Sequence, residues 1–203
     1  MKLLSAVILV TVLAAAAVVG LAYSGIPEVS ATTDEPAALR WLLRTIRQQS
    51  VERRAAAITV PDLSGDATVT AGARAFDEIC ASCHGAPGRE PFVGARDMSP
   101  APPRLADRGA ERSPAELFWI IKHGIRMTGM PAWGPTHGND ELWELVAFIR
   151  RLPALDAAGY EQLVARAGDD GHAHAHGGAL AADDEGESTD GEPAEHVHDN
   201  HDH

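Results

Sequence analysis

The sequence predicts an all-α protein: a small helical domain flanked by two appendages of different character. Three observations carry that expectation. Apolar residues recur at helical spacing in stretches near 37–55, 113–123 and 139–152. The chain opens on an uncharged apolar run. It closes on a segment almost free of large apolar side chains, too poor in them to build a core. A length of 203 residues suits one domain with such additions.

Charge narrows the function classes. The net charge is −12, the opposite of what a nucleic-acid binder carries. The acid is concentrated at one end. No Lys or Arg follows Arg166, while eleven acidic residues lie between Asp169 and Asp202. Two cysteines in a chain of this length cannot form a disulfide framework.

Residues 1–24 are expected to be a transmembrane anchor or a signal segment. Leu3 to Ala22 runs for twenty residues without a charge, about 30 Å of helix, enough to span a bilayer. A secretory signal has a shorter apolar core, about 7–15 residues, although "AYS" at 22–24 resembles a cleavage site. The reading adopted is an uncleaved single-pass anchor. Lys2 stands alone on one flank, and Arg40, Arg44, Arg47, Arg53 and Arg54 follow on the other. The positive-inside rule alone would keep those arginines in the cytoplasm.

Residues 25–67 read as a linker and an amphipathic, arginine-rich helix. Leu39, Leu42, Leu43 and Ile46 form its apolar stripe. Such a helix either lies on anionic lipid or a membrane partner, or packs on the domain that follows. The domain itself is expected over 68–167. Thr70 is expected to cap a helix running to about Cys80, with Gly72 and Phe76 four apart on one face. Residues 84–112 are dense in Gly, Pro and Arg, and a loop that long needs something to wrap around. "SPAE" at 113–116 is a capping box that opens a helix ending at Gly124. Asn139 is expected to cap the last core helix, with Leu142, Leu145, Val146 and Ile149 as its buried stripe and Pro153 at its end. A short helix over 156–167 follows.

Residues 168–203 are expected to be disordered. They carry seven of the ten histidines: His172, His174, His176, His196, His198, His201 and His203. Alternating imidazoles on a flexible chain suit a labile Cu, Zn or Ni ion; the plainer reading is a solubilising tail.

The chemistry centres on "CASCH" at 80–84. C-x-x-C-H is the spacing of c-type haem attachment. Cys80 and Cys83 each add to one porphyrin vinyl group as thioethers, and the next residue, His84, lies under the iron as an axial ligand. A zinc site would need a second ligand pair, and a thioredoxin-like pair needs a strand–helix context the sequence lacks. Haem attachment requires export, so this argument overrides the positive-inside rule. The second axial ligand is expected from "RMTGMPAWG" at 126–134. Met130, 46 residues after His84, supplies a soft thioether that favours ferrous iron. Gly129 allows close backbone approach to the macrocycle, and Pro131 stiffens the loop. Met127 is read as core filler and Met98 as a weaker rival ligand; His123 and His137 offer bis-histidine ligation instead. Trp133 is expected to pack on the haem near Met130. Trp119, Trp143, Phe118 and Phe148 are further candidates to line the porphyrin. Arg89, Arg96 and Arg104 are either solvated loop residues or propionate partners, the first reading being preferred.

These residues resemble the class I c-type cytochromes over about 68–152. "CASCHG" is similar to the family's haem-binding signature, and "TGMPAWG" to its distal-methionine loop. Gly72 and Phe76 resemble its N-terminal helix; Leu145 and Phe148 resemble the helix that crosses it. The resemblance implies a small cytochrome c fold wrapped around one covalently attached haem c. It implies a monohaem one-electron carrier with no catalytic residue of its own, cycling Fe(II)/Fe(III); together with the N-terminal anchor, which departs from the family's minimal pattern, this places its service to redox partner proteins at a bacterial cytoplasmic membrane. The haem domain would lie in the periplasm. The alternatives are a cytochrome subunit of a dehydrogenase or terminal oxidase, or a haem or metal sensor that uses the His-rich tail.

Overall fold

The computed structural model describes residues 2–169. The expected tail ligands His172, His174, His176, His196, His198, His201 and His203 lie outside the described residues. Among the described residues the structure is helical, with no strand and one isolated bridge between Ala86 and Arg89. The all-α expectation therefore holds.

Helix α1 (Lys2–Tyr23) has 22 residues and is long and apolar enough to cross a membrane, spanning about 33 Å. None of its side chains is buried. Helix α2 (Ala37–Ala55) packs against a later helix, but not through the stripe its sequence advertises. Val51 and Ala55 are buried, while Leu39, Leu42, Leu43 and Ile46 remain exposed.

Helix α3 (Asp66–Ala75) starts four residues before the expected cap. Gly65 precedes it, Asp66 places an acid in the first turn where the helix dipole favours one, and Thr70 is buried inside the helix. The chain continues through a π-helical turn (Phe76–Cys80) into one more helical turn, α4 (Ala81–His84), and leaves it at Gly85. The expected long irregular loop contains two single-turn helices, α5 (Val93–Arg96) and α6 (Leu105–Arg108).

Helix α7 (Pro114–His123) opens on the expected capping box. The Glu116 amide donates to Ser113 Oγ at 3.3 Å, and the Ser113 amide donates to Glu116 Oε2 at 2.9 Å. Helix α8 (Asn139–Arg151) is capped from Gly138, whose amide donates to Glu141 Oε2 at 2.9 Å; Asn139 lies just inside. Asn139 Oδ1 instead accepts from Lys122 Nζ at 2.9 Å, tying the α8 start to the end of α7. Leu142, Leu145, Val146 and Ile149 are buried, as their spacing predicts. A 3₁₀ turn (Leu152–Ala154) containing Pro153 ends α8, and α9 (Ala157–Asp169) runs past Gly168.

The core forms where α3 crosses α8. A Cβ on Gly72 would lie 2.0 Å from the Glu144 carbonyl oxygen, so only glycine permits this approach. One turn on, Phe76 meets Phe148 with ring centroids 5.3 Å apart. Tyr160 of α9 closes the triangle at 6.4 Å from Phe76 and 6.1 Å from Phe148. The crossing thus anchors the α3 end of the chain immediately before Cys80, and the α8 end immediately after the loop that carries Met130.

Candidate functional site

Cys80 ends the π-helical turn with 6% of its surface exposed; Cys83 is half-buried one turn later. Burial pushes the Cys80 thiol up to about 12, with Cys83 adding to the effect. In the absence of a bound cation the thiol therefore stays protonated and neutral. Among the described residues no group of three or more His, Cys, Asp or Glu is placed to hold a metal ion. A neutral thioether carries no such desolvation cost, so the buried position suits covalent attachment to an apolar ring.

His84 ends α4. Its Nδ1 lies 2.8 Å from the Pro103 carbonyl oxygen. A carbonyl only accepts, so Nδ1 carries the proton, and in the neutral ring the lone pair sits on Nε2. Burial lowers the His84 pKa, which favours that neutral form, although the bond to Pro103 opposes it. The ring is thereby oriented, and Nε2 is left as a ligand atom. The long loop after His84 has a structural use: it returns the Pro103 carbonyl to the imidazole. It is pinned by Phe92 N donating to Ser82 O at 2.9 Å and by Arg104 bonding Glu90 and Asp107.

The Met130 loop is closed on itself and on the end of α7. Gly124 takes φ +63°, and a Cβ there would lie 2.7 Å from the Pro131 carbonyl carbon. The Ile125 amide donates to Met130 O at 3.2 Å. The Trp133 amide donates to Ile121 O at 3.1 Å, and the Gly134 amide to Lys122 O at 3.0 Å. Within the loop, Thr128 Oγ1 donates to Ile125 O at 2.7 Å and accepts from the Met130 amide at 3.1 Å. Met130 is half-buried against the core. Its position is therefore set by five hydrogen bonds rather than by proline alone.

The readings of Met127, Gly129 and Arg89 need correction, and the other named side chains take definite places. Met127 is not core filler: it is 92% exposed with φ 60°, at the loop's outer turn. Gly129 does make a close approach, but to Met98, whose Sδ would lie 2.7 Å from an added Cβ. Met98 therefore backs the loop of its presumed rival. Phe148 stands in the triangle with Phe76 and Tyr160, and Phe118 stacks on Trp143 at 4.1 Å. Trp119 contacts His123 and the Arg54 guanidinium of α2. Trp133, three residues after Met130, packs on the core with its ring edge-on to His137 at 5.4 Å. His137 also lies 2.8 Å from Thr136 Oγ1, and His123 is exposed beside Trp119. Arg89 is not a free loop cation: it pairs with Asp77 and reaches the Tyr160 hydroxyl. The aspartate accepts from that hydroxyl at 2.5 Å. This Asp77–Arg89–Tyr160 cluster, which ties the turns on both sides of "CASCH" to α9, was missed in the sequence because its members are 12 and 71 residues apart.

A helix presenting two thiols and an oriented imidazole, with a thioether loop packed on the same core, is an arrangement that suits a cytochrome c domain. Residues 67–149 match the family described as cytochrome C oxidase, cbb3-type, subunit III, and that segment is a cytochrome c domain. The Cbb3-type cytochrome c oxidase subunit FixP of Rhizobium meliloti (strain 1021) is 36% identical over 89 residues. The alignment covers 41% of this chain and 27% of that protein, so the chain spans about a quarter of the relative it matches. No solved structure matches the chain.

Proposed function

We propose that the chain carries one haem c, joined to Cys80 and Cys83 through thioethers, with His84 Nε2 and Met130 Sδ as axial ligands. The haem supplies a one-electron Fe(II)/Fe(III) couple. The protein's part is to hold both axial donors so firmly that no substrate enters. The Pro103 carbonyl orients His84, and the hydrogen-bonded loop from Gly124 to Gly134 holds Met130. The observation that carries the reading is the 2.8 Å contact between His84 Nδ1 and the Pro103 carbonyl oxygen, which leaves Nε2 as the donor atom of the residue that follows Cys83. Trp133 is proposed to pack on the haem near Met130.

The proposed activity is electron transfer at the outer face of a bacterial cytoplasmic membrane, with α1 as anchor and redox proteins as partners. The family match and the FixP likeness favour service as a cytochrome subunit of a terminal oxidase. Chemistry at oxygen would then belong to other subunits, and this chain would remain a carrier. Copurification from the native membrane distinguishes a subunit from a free carrier. For the acidic tail, the proposal is labile Cu or Zn binding by its seven histidines; equal metal stoichiometry in full-length protein and in a chain ending at Asp169 would refute it.

Two measurements test the haem site. The denatured protein should keep its pyridine haemochrome spectrum after acid–acetone extraction; a colourless product with two alkylatable thiols would refute attachment. Met130→Ala should remove the far-red Met-to-ferric-iron band. It should also lower the midpoint potential by tenths of a volt, within the roughly 0.8 V that axial ligands span. An unchanged spectrum and potential would exclude Met130 as ligand.

A further inference from the structure

Helix α2 is docked on the domain by one side and bare on the other. Val51 and Ala55, 2% and 4% exposed, mark the docked side against α7. Leu39, Leu42, Leu43 and Ile46 lie about 150° round the helix from them, at about 100° per residue. These four are 44%, 45%, 47% and 56% exposed, although their spacing makes one continuous aliphatic strip. Soluble surfaces seldom leave such a strip open without a use.

We infer that this strip seats α2 on the surface of an anionic lipid bilayer. The inference rests on the proposed reading of α1 as an anchor. Three observations choose lipid as the occupant. Only thirteen residues, 24–36, separate α1 from α2, so the strip cannot lie more than about 45 Å of extended chain from the end of α1. Across Ala37–Ala55 there are five arginines against Glu52 alone, in a chain that is otherwise acidic. Among the described residues no carboxylate pairs with Arg44, Arg47 or Arg53. Arg53 stands seven residues after Ile46 and so continues the strip, where its guanidinium meets headgroup phosphates while the aliphatic side chains enter the acyl boundary. Seating α2 in this way would carry the domain with it, because Val51 and Ala55 fix α2 to α7. The membrane would then orient the domain as well as tether it.

Nitroxides on keto side chains at Leu13, Leu42, Ile46 and Gln48, one per protein, test this in full-length protein reconstituted into vesicles. The keto chemistry leaves Cys80 and Cys83 untouched. Collision with oxygen against a water-soluble nickel complex reports depth. In vesicles containing phosphatidylglycerol, labels at Leu42 and Ile46 should favour oxygen several-fold over Gln48. In vesicles of phosphatidylcholine alone that preference should weaken. Labels at Leu42 and Ile46 as exposed to nickel as Gln48, with Leu13 deep in the bilayer, would overturn the inference and leave the anchor standing. Labels shielded from both reagents would overturn it in favour of a protein contact, such as a second copy. A label at Leu13 in water would end the anchor reading and this inference together.

Discussion

Gly72 shows how a single missing methyl sets the architecture. An alanine Cβ there would lie 2.0 Å from Glu144 O and 3.0 Å from the Phe148 Cβ. The backbone of α8 cannot move aside without opening the Phe76–Phe148–Tyr160 triangle. Gly72→Ala should therefore cost about 1–3 kcal/mol or more, the range for overpacking a fitted core. The check is the urea midpoint of the holoprotein, which should fall with an unchanged slope; an unmoved midpoint would mean the helices are free to separate there. The residue pattern placed Gly72 and Phe76 on one helical face, and the crossing by the helix of Leu145 and Phe148 was legible through the family resemblance. The same pattern could not say what Met127 does. Its neighbours are local, but its exposure follows from the left-handed turn that closes the loop onto α7, and that turn depends on residues at both ends of the loop.

Among the elements, those with local signals were legible and those built by return contacts were not. The Ser113–Glu116 box was readable because both bonds join residues three apart. Ser113→Ala should destabilise the domain by about 1 kcal/mol, as N-cap deletions do, and Ser113→Asp should preserve most of that stability. Thermal unfolding of the three proteins checks the order; equal midpoints would mean the first turn of α7 is held by other contacts, for which the 3.3 Å Arg112–Glu116 pair is the local candidate. The start of α3 differs from the expectation because the Thr70 hydroxyl is a capping group by type, whereas Asp66 four residues earlier begins the helix and tertiary packing buries the threonine. The α2 stripe shows the same limit from the other side. Its periodicity correctly marked an amphipathic helix, yet periodicity does not say which face a neighbour will cover. Here α7 takes the Val51–Ala55 side.

At the scale of the whole molecule, Tyr160 binds parts of the chain that the cytochrome match alone would not join, since it lies beyond residue 149. Its ring is fully buried and its hydroxyl donates to Asp77, which also holds Arg89. Burial raises the Tyr160 pKa, and the Asp77 carboxylate raises it further. The consequence has a definite sign. In the unfolded chain a tyrosine ionises near pH 10, about its ordinary value. Below that pH both states keep the proton and the contribution to stability is complete. Above it the unfolded chain loses the proton first, so stability falls as pH rises toward the raised native value, with a slope approaching about 1.4 kcal/mol per pH unit for this one group. Tyr160→Phe keeps the ring but removes the hydroxyl. It should lower stability at pH 7 by about 1.5–3 kcal/mol, the range for a hydrogen bond to a charged partner. Between pH 10 and 11 the difference between the two proteins should shrink, because only the wild type has this proton to lose. Urea unfolding followed by far-ultraviolet circular dichroism at pH 7, 9, 10 and 11 makes the comparison, and other alkaline titrations largely cancel between the two proteins. A constant gap across that range would mean that folding does not raise the Tyr160 pKa, and no gap at any pH would mean that α9 is secured by its ring alone.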